Sequence, residues 1–378
     1  MNKEIKITYF FQGGRLSRLE SKEPYAKEMF YGFNYLNKKY PNTKIVEFSE
    51  HKTKIRRLFF LLVEKQLRRI LKLPLYWSFL LTKENYERIY KSDYLVFSNN
   101  RMACSVLPFL LLPKIKRKKI GSLCFVMGLF SRTPKFKILS YFQNIYISKL
   151  IHNIDNFIFL SFGEYSTAVN NFPKESNKFI YKPFAVDQNM WKKGETKKEK
   201  TILFVGNDGF RDYNLAEKIA NTMPEYKFKF ISEQINEKNL NGNNHEVVKG
   251  SWGEPAISDK DLRDEYRKAF LTIVPLQESL QPSGQSVTLQ SISCGTPVII
   301  SSTKGFWDID SFIDGENIFF AKENGLQYWT DKIKDILNLS KNEYELISKR
   351  GIETIKNNYD LYKFSEEIEN ILIKEDSL

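Results

Sequence analysis

Short apolar runs flanked by polar residues recur along the chain, and stretches with helical spacing separate them. Residues 5–10 (IKITYF) predict a buried strand, left through the loop Gln12-Gly13-Gly14-Arg15. Ser21 and Pro24 read as start signals for a helix that the spacing carries from residue 24 to 40. Residues 44–48, 94–97, 122–127 and 157–160 predict further strands. The composition then changes over 183–200 (PFAVDQNMWKKGETKKEK), a polar, lysine-rich stretch that reads as a linker. A second series follows, with strands at 201–205, 227–231, 271–275 and 298–301 and helices at 215–222, 261–268 and 286–293. Alternation of this kind predicts parallel α/β layers.

At 378 residues the chain is too long for one ordinary core, so two domains of similar size are expected. With 42% hydrophobic and 27% charged residues it has a globular composition. No uncharged apolar run reaches the length of a membrane-spanning helix, and the N-terminal residues lack the pattern of a signal peptide. Cys104, Cys124 and Cys294 are too widely spaced for a disulfide framework or a metal knuckle. These features lead to the expectation of a reduced, cytoplasmic setting.

Charge divides the chain unequally. Residues 1–190 hold 33 Lys and Arg against 14 Asp and Glu, a net +19, while the remainder is net −6. Between Asp93 and Asp155 there are ten basic residues and no acidic one. Such one-sidedness points to a polyanionic partner, an anionic membrane or a nucleic acid. Residues 52–72 sharpen the choice. Apolar Ile55, Leu58, Phe59, Leu62, Val63, Leu67 and Ile70 recur at helical spacing, with Lys54, Arg57, Lys65, Arg68 and Lys72 opposite. That is either a helix lying against anionic lipid or a core-facing helix with a solvated basic side. The bulky run 75–81 and the basic-apolar stretches 114–119 and 134–142 repeat the same chemistry and favour lipid. Interleaved aromatics such as Phe59, Tyr76, Trp77, Tyr141 and Phe142 could stack on bases, but no recognised nucleic-acid motif accompanies them. The expected partner is therefore the cytoplasmic membrane, bound peripherally, and not nucleic acid.

The most distinctive chemistry lies between Gln281 and Ile300. The pattern is a glycine-containing turn at Ser283-Gly284, a helix, a Gly295-Thr296-Pro297 stop and a strand. A small-residue turn that opens a helix presents unpaired amides at the positive end of its dipole, which suits a diphosphate. A plain strand-to-helix turn gives the same pattern, and the residues alone leave both readings open.

This segment resembles the donor-domain signature of the retaining glycosyltransferases of family four. There a Glu-rich, glycine-containing turn leads into a helix ending Glu-Ala-Met-Ala-Cys-Gly-x-Pro-Val. Leu289-Gln290-Ser291-Ile292-Ser293-Cys294-Gly295-Thr296-Pro297-Val298 is similar to that helix end, with Gln290 in place of the second glutamate and Pro282 at the position of the first. Further likenesses follow in order: Val186-Asp187, the strand and loop from Ile202 to Tyr213, residues 262–275, and Asp314-Gly315-Glu316-Asn317.

The resemblance implies a GT-B fold, α/β, with two Rossmann-like domains facing a central cleft. Residues 1–184 would form the acceptor domain, 198–355 the donor domain, and 356–378 a helix crossing back to the first. It implies a donor diphosphate held by Gly206, Asn207, Arg211, Ser283, Gly284, Gln285, Ser286 and Val287, and a ribose accepted by Gln290. Arg211 and Gln290 would be the catalytic pair, and Gly13, Gly14 and Arg15 a cleft loop of the first domain. Base contacts are expected around residues 249–252. No cofactor or metal is expected, since helix N-termini and Arg211 would neutralise the diphosphate. The implied reaction moves a sugar from a UDP- or GDP-linked donor to a hydroxyl of a glycan or lipid-linked acceptor, with retention. A nucleotide-sugar epimerase of the same architecture and a non-catalytic basic binding protein stay open as alternatives.

Overall fold

The computed structural model describes residues 4–21, 23–48, 55–250 and 257–373, of which 55–60 by their backbone alone. The chain divides into two compact units. One comprises Met1–Glu20, Phe30–Lys182 and Tyr362–Leu378; the other comprises Ser21–Met29 and Pro183–Leu361.

The first unit is built on six parallel strands: β1 (Ile7–Phe11), β2 (Lys44–Glu47), β3 (Tyr94–Phe97), β4 (Gly121–Val126), β5 (Asn156–Phe159) and β6 (Phe179–Tyr181). Their order is β2-β1-β3-β4-β5-β6. The inner strands are almost wholly buried, which is why they read as continuous apolar runs. The second unit repeats the plan with β7 (Thr201–Val205), β8 (Lys227–Ile231), β9 (His245–Val248), β10 (Leu271–Val274), β11 (Val298–Ser301) and β12 (Phe319–Ala321). Here the order is β12-β11-β10-β7-β8-β9, again all parallel. In each sheet the direction of winding reverses beside the first strand, between β1 and β3 and between β7 and β10. Open parallel sheets bind ligands beyond the carboxyl ends of their strands at such a switch point.

The last helix, Leu361–Leu372, is built into the first unit from residue 362 onward. Phe364 stacks on Phe125 at 6.1 Å, and Glu369 accepts hydrogen bonds from Tyr35 at 3.0 Å and Tyr40 at 2.5 Å while pairing with Lys39. Among the described residues no helix is long and apolar enough to cross a membrane.

Three local expectations need correction. The helix expected over 24–40 is broken: a 3-10 turn, Lys27–Phe30, is followed by a helix at Phe33–Lys39. Tyr31 and Gly32 between them take left-handed backbone angles, φ 49° and 81°. Gly32 also sits close to Ile368, whose side chain a Cβ there would meet at 3.2 Å. A helix at Arg15–Glu20 was not expected, because its cap is remote: Glu47 of β2 accepts from the amides of Arg15 and Leu16. Finally, helix Ile55–Leu71 forms as the spacing predicts, but with its faces redistributed. Leu62, Val63 and Ile70 point outward, while Glu64 is buried and Arg68 donates to the carbonyl of Leu75 at 2.7 Å.

Candidate functional site

The site residues gather in the second unit at the switch point of its sheet. β7 ends at Val205, and Gly206 turns the chain with φ 150°. The loop that follows is stitched to the loop after β10. Asp212 N donates to the Pro275 carbonyl at 2.9 Å, Gln277 N donates to the Phe210 carbonyl at 2.8 Å, and Arg211 bridges Leu276. Asp212 then caps helix Tyr213–Thr222 through the Leu215 amide. This stitching fixes Arg211 beyond the carboxyl ends of both strands.

Its guanidinium is enclosed, with Arg211 only 3% exposed. A Cβ on Gly206 would lie 2.5 Å from Nε, and one on Gly284 would lie 3.0 Å from Nη1 and 2.6 Å from Val274 Cγ1. The two glycines are therefore what lets the side chain through. Nε lies 2.9 Å from Asp208 Oδ2, an ion pair whose angle is too poor for a hydrogen bond; Nε and Nη1 make none among the described residues. Gly284, at φ 81°, opens helix Gln285–Ser293 and supplies no side-chain cap. The amides of Ser286 and Val287 belong to that first turn, and the buried Ser283 Oγ and Thr288 Oγ1 also make no hydrogen bond among the described residues. Buried donors without acceptors are costly, more so when charged. Donors gathered at a helix N-terminus can take an oxyanion. The sequence reading thus has Gly206, Arg211, Ser283, Gly284, Gln285, Ser286 and Val287 in one place.

Asn207 and Gln290 are occupied differently from the expectation. Asn207 Nδ2 donates to the Gly250 carbonyl at 2.8 Å, and its Oδ1 accepts from Ser232 Oγ and the Glu233 amide. Its side chain joins the loops after β7, β8 and β9. Gln290 is buried within the helix. Its Nε2 donates to Glu28 Oε1 at 2.8 Å, and its Oε1 accepts from the Tyr266 hydroxyl at 3.4 Å.

Glu28 is the residue that the sequence reading missed. It comes from the Ser21–Met29 segment of the same unit and is fully buried. Besides Gln290 it accepts from Trp191 Nε1 at 2.6 Å and from the Asp187 amide at 3.4 Å. Burial pushes its carboxyl up to about 7, against the opposing pull of these donors. No local signal marks it, because its partners lie 159 to 262 positions away. Asp208, by contrast, stands three residues before Arg211, and that spacing could have suggested it.

In the first unit, Gly14 turns the loop after β1 with φ 93°, and Arg15 Nη1 folds back on the carbonyls of Gln12 and Gly13. Burial lowers the Arg15 pKa. The Asp314–Asn317 loop is held by Asn317, which accepts from the Ile313 amide and donates to Ser311 and Thr354. Of the residues expected to touch the base, Ser251 and Trp252 lie outside the described residues.

Neither a protein-family model nor any curated protein matches the sequence. The architecture does match solved structures. The fold is that of the GT-B glycosyltransferases, α/β with two parallel six-stranded sheets. One similar structure is Alr3699/HepE of Anabaena in complex with UDP and glucose, with TM-score 0.67 and 11% identity, covering 99% of this chain and 100% of that one. A glycosyltransferase from Rickettsia africae matches with TM-score 0.65 at 12% identity over 99% and 100%. A sucrose-phosphate synthase from Thermosynechococcus elongatus gives 0.66 at 13% over 97% and 98%. At these identities the likeness is one of fold.

Proposed function

We propose that this chain is a glycosyltransferase that moves a sugar from a nucleoside diphosphate sugar to an acceptor hydroxyl. The observation that carries the reading is Arg211, buried between Gly206 and Gly284 beside the uncapped start of helix Gln285–Ser293, with Nε and Nη1 making no hydrogen bond among the described residues. A diphosphate suits this cradle, because guanidinium and amide donors match its oxygens in number and charge. Similar structures hold UDP or UDP-glucose, which supports a uridine nucleotide as the first choice over GDP.

In the reaction, the bond between the anomeric carbon and the diphosphate oxygen breaks as the acceptor oxygen bonds to that carbon. Negative charge grows on the departing oxygen, where Arg211 and the Ser286 and Val287 amides stabilise it. On the retaining course the departing phosphate oxygen takes the acceptor proton, so no side-chain nucleophile is required. The same donors make a metal unnecessary for neutralisation. Gln290 would accept a ribose hydroxyl through Oε1 alone, exchanging the long contact to Tyr266 while Nε2 stays on Glu28. A lipid-linked glycan is the acceptor class that the basic first half favours.

Thermal shift with UDP and GDP, followed by a screen of their sugar conjugates, tests the reading. UDP at a hundredfold excess over Kd should stabilise the chain by about 2.7 kcal/mol. Arg211→Ala should remove that shift and labelled-UDP binding together, and chelator should change neither in the parent protein. Absence of any shift with every nucleoside diphosphate would sink the proposal. An epimerised sugar nucleotide formed without acceptor would replace transfer by epimerisation.

A further inference from the structure

We infer that the first unit carries a membrane-docking face for anionic phospholipid, formed by helix Lys137–Asn153, the residues just before it, and helix Ile55–Leu71. Helix Lys137–Asn153 buries Gln143, Ile147, Leu150 and Ile151. The exposed side of its first turns, and the residue before it, carry large apolar groups, while Ser148, Lys149 and His152 are exposed further along. Phe136, Ile138 and Tyr141 are 68, 63 and 61% exposed, and Phe142 is 51% exposed. Ile138, Tyr141 and Phe142 stand three and four apart, so they share one helix face. Exposed Lys135 and Lys137 flank Phe136. Helix Ile55–Leu71 packs against this helix and adds exposed Leu62 and Ile70, interspersed with Lys65 and Arg69.

The acidic side adds a separate observation. Glu64 is the sole carboxylate in the sequence between His51 and Lys83, and the stretch from Tyr94 to Ile154 has none. Glu64 is fully buried, where it accepts from the Ser78 amide and hydroxyl and pairs with Arg68. Among the described residues of these stretches, the outward surface therefore shows bulky apolar and cationic groups without an acid to repel a negative plane. A solvated helix face requires neither four large exposed hydrophobics in seven residues nor the withdrawal of its one acid.

The mixture also selects the partner. Nucleic acid is held by cations and flat rings that stack on bases. Leu62, Ile70 and Ile138 are aliphatic and offer no stacking, whereas the boundary between headgroups and acyl chains accepts aliphatic and aromatic groups beneath a basic rim. The inference stands on the first unit alone and does not depend on the donor chemistry of the second.

Co-sedimentation with vesicles tests it. The full chain should pellet with vesicles containing phosphatidylglycerol, pellet poorly with pure phosphatidylcholine, and be released by salt. Each lysine removed in Lys135→Ala and Lys137→Ala should weaken partitioning about fivefold. Phe136→Ser with Phe142→Ser should weaken it further without changing the melting temperature in solution. A second measurement uses the parent surface almost unaltered. Cys104, Cys124 and Cys294 are all buried, so a polarity-sensitive dye attached to Ile138→Cys labels one place, and its emission should shift to the blue on anionic vesicles. Equal binding to neutral vesicles, retention by RNA but not by vesicles, or a dye that stays wet while the protein pellets would each overturn the inference.

Discussion

At the scale of single residues, Gln290 shows how one substitution is explained by a distant partner. Relatives carry glutamate at this position by the resemblance of the helix end, yet here the side chain donates to Glu28 at 2.8 Å. Two carboxyls at that distance in a buried site cannot both ionise. Gln290→Glu, which restores the residue of the resemblance, should therefore lower stability by on the order of 2–4 kcal/mol at pH 8. The loss should shrink towards pH 5, where the pair can share a proton. Denaturant melts at the two pH values decide it: a variant as stable as the parent at pH 8 would show that Glu28 does not constrain this position. Glu28 also explains why the candidate site is only partly legible in the sequence. Gly206, Arg211 and Gly284 sit in local strand-turn-helix patterns that a sequence displays. A carboxyl that meets its partner across 262 positions leaves no such pattern.

At the scale of elements, the turn before helix Gln285–Ser293 combines backbone conformation and space. Gly284 takes φ 81°, and a Cβ there would press on Val274 at 2.6 Å and on Arg211 Nη1 at 3.0 Å. Gly284→Ala should cost about 1–3 kcal/mol from the left-handed conformation alone. It should also weaken nucleotide binding, because the displaced guanidinium no longer lines the helix start. An unchanged melting temperature would contradict the conformational argument, and unchanged UDP affinity the placement of Arg211. The elements that the sequence hid share a physical cause. β6, β9 and β12 are edge strands of three or four residues, too short for a run or an alternation to stand out from the flanking loops. The inner strands β3, β7 and β11 are legible to the residue because burial on both faces demands a nearly unbroken apolar run, and β8 because its lysines alternate with phenylalanines. The break at Tyr31-Gly32 leaves no mark in the sequence, because the apolar spacing continues through it.

At the scale of the whole molecule, among the described residues each unit contains one buried carboxyl raised by burial to about 7, Glu28 in the second and Glu164 in the first. Glu164 accepts from the amides of Gly128 and Phe130, at 2.8 and 2.9 Å, which lower its pKa but do not outweigh desolvation. Both groups are raised from an ordinary 4.5. Between about 4.5 and 7 the folded chain therefore binds more protons than the unfolded one, so stability falls as pH rises. The contribution is complete below 4.5 and gone above about 7, with each carboxyl accounting for on the order of 1–3 kcal/mol across that window. Glu28→Gln isolates one of them, since an amide keeps an oxygen for the Trp191 and Gln290 donors and cannot ionise. The variant should gain on the parent as pH rises from 5 to 8, and its own curve should keep the falling slope due to Glu164 up to about 7, above which Lys198, whose pKa burial lowers to about 7, adds a rising one. Parallel curves for parent and variant would show that Glu28 titrates in the folded chain as it does in the unfolded one. That result would remove the buried carboxyl from the account of Gln290 as well, because both rest on the same desolvation.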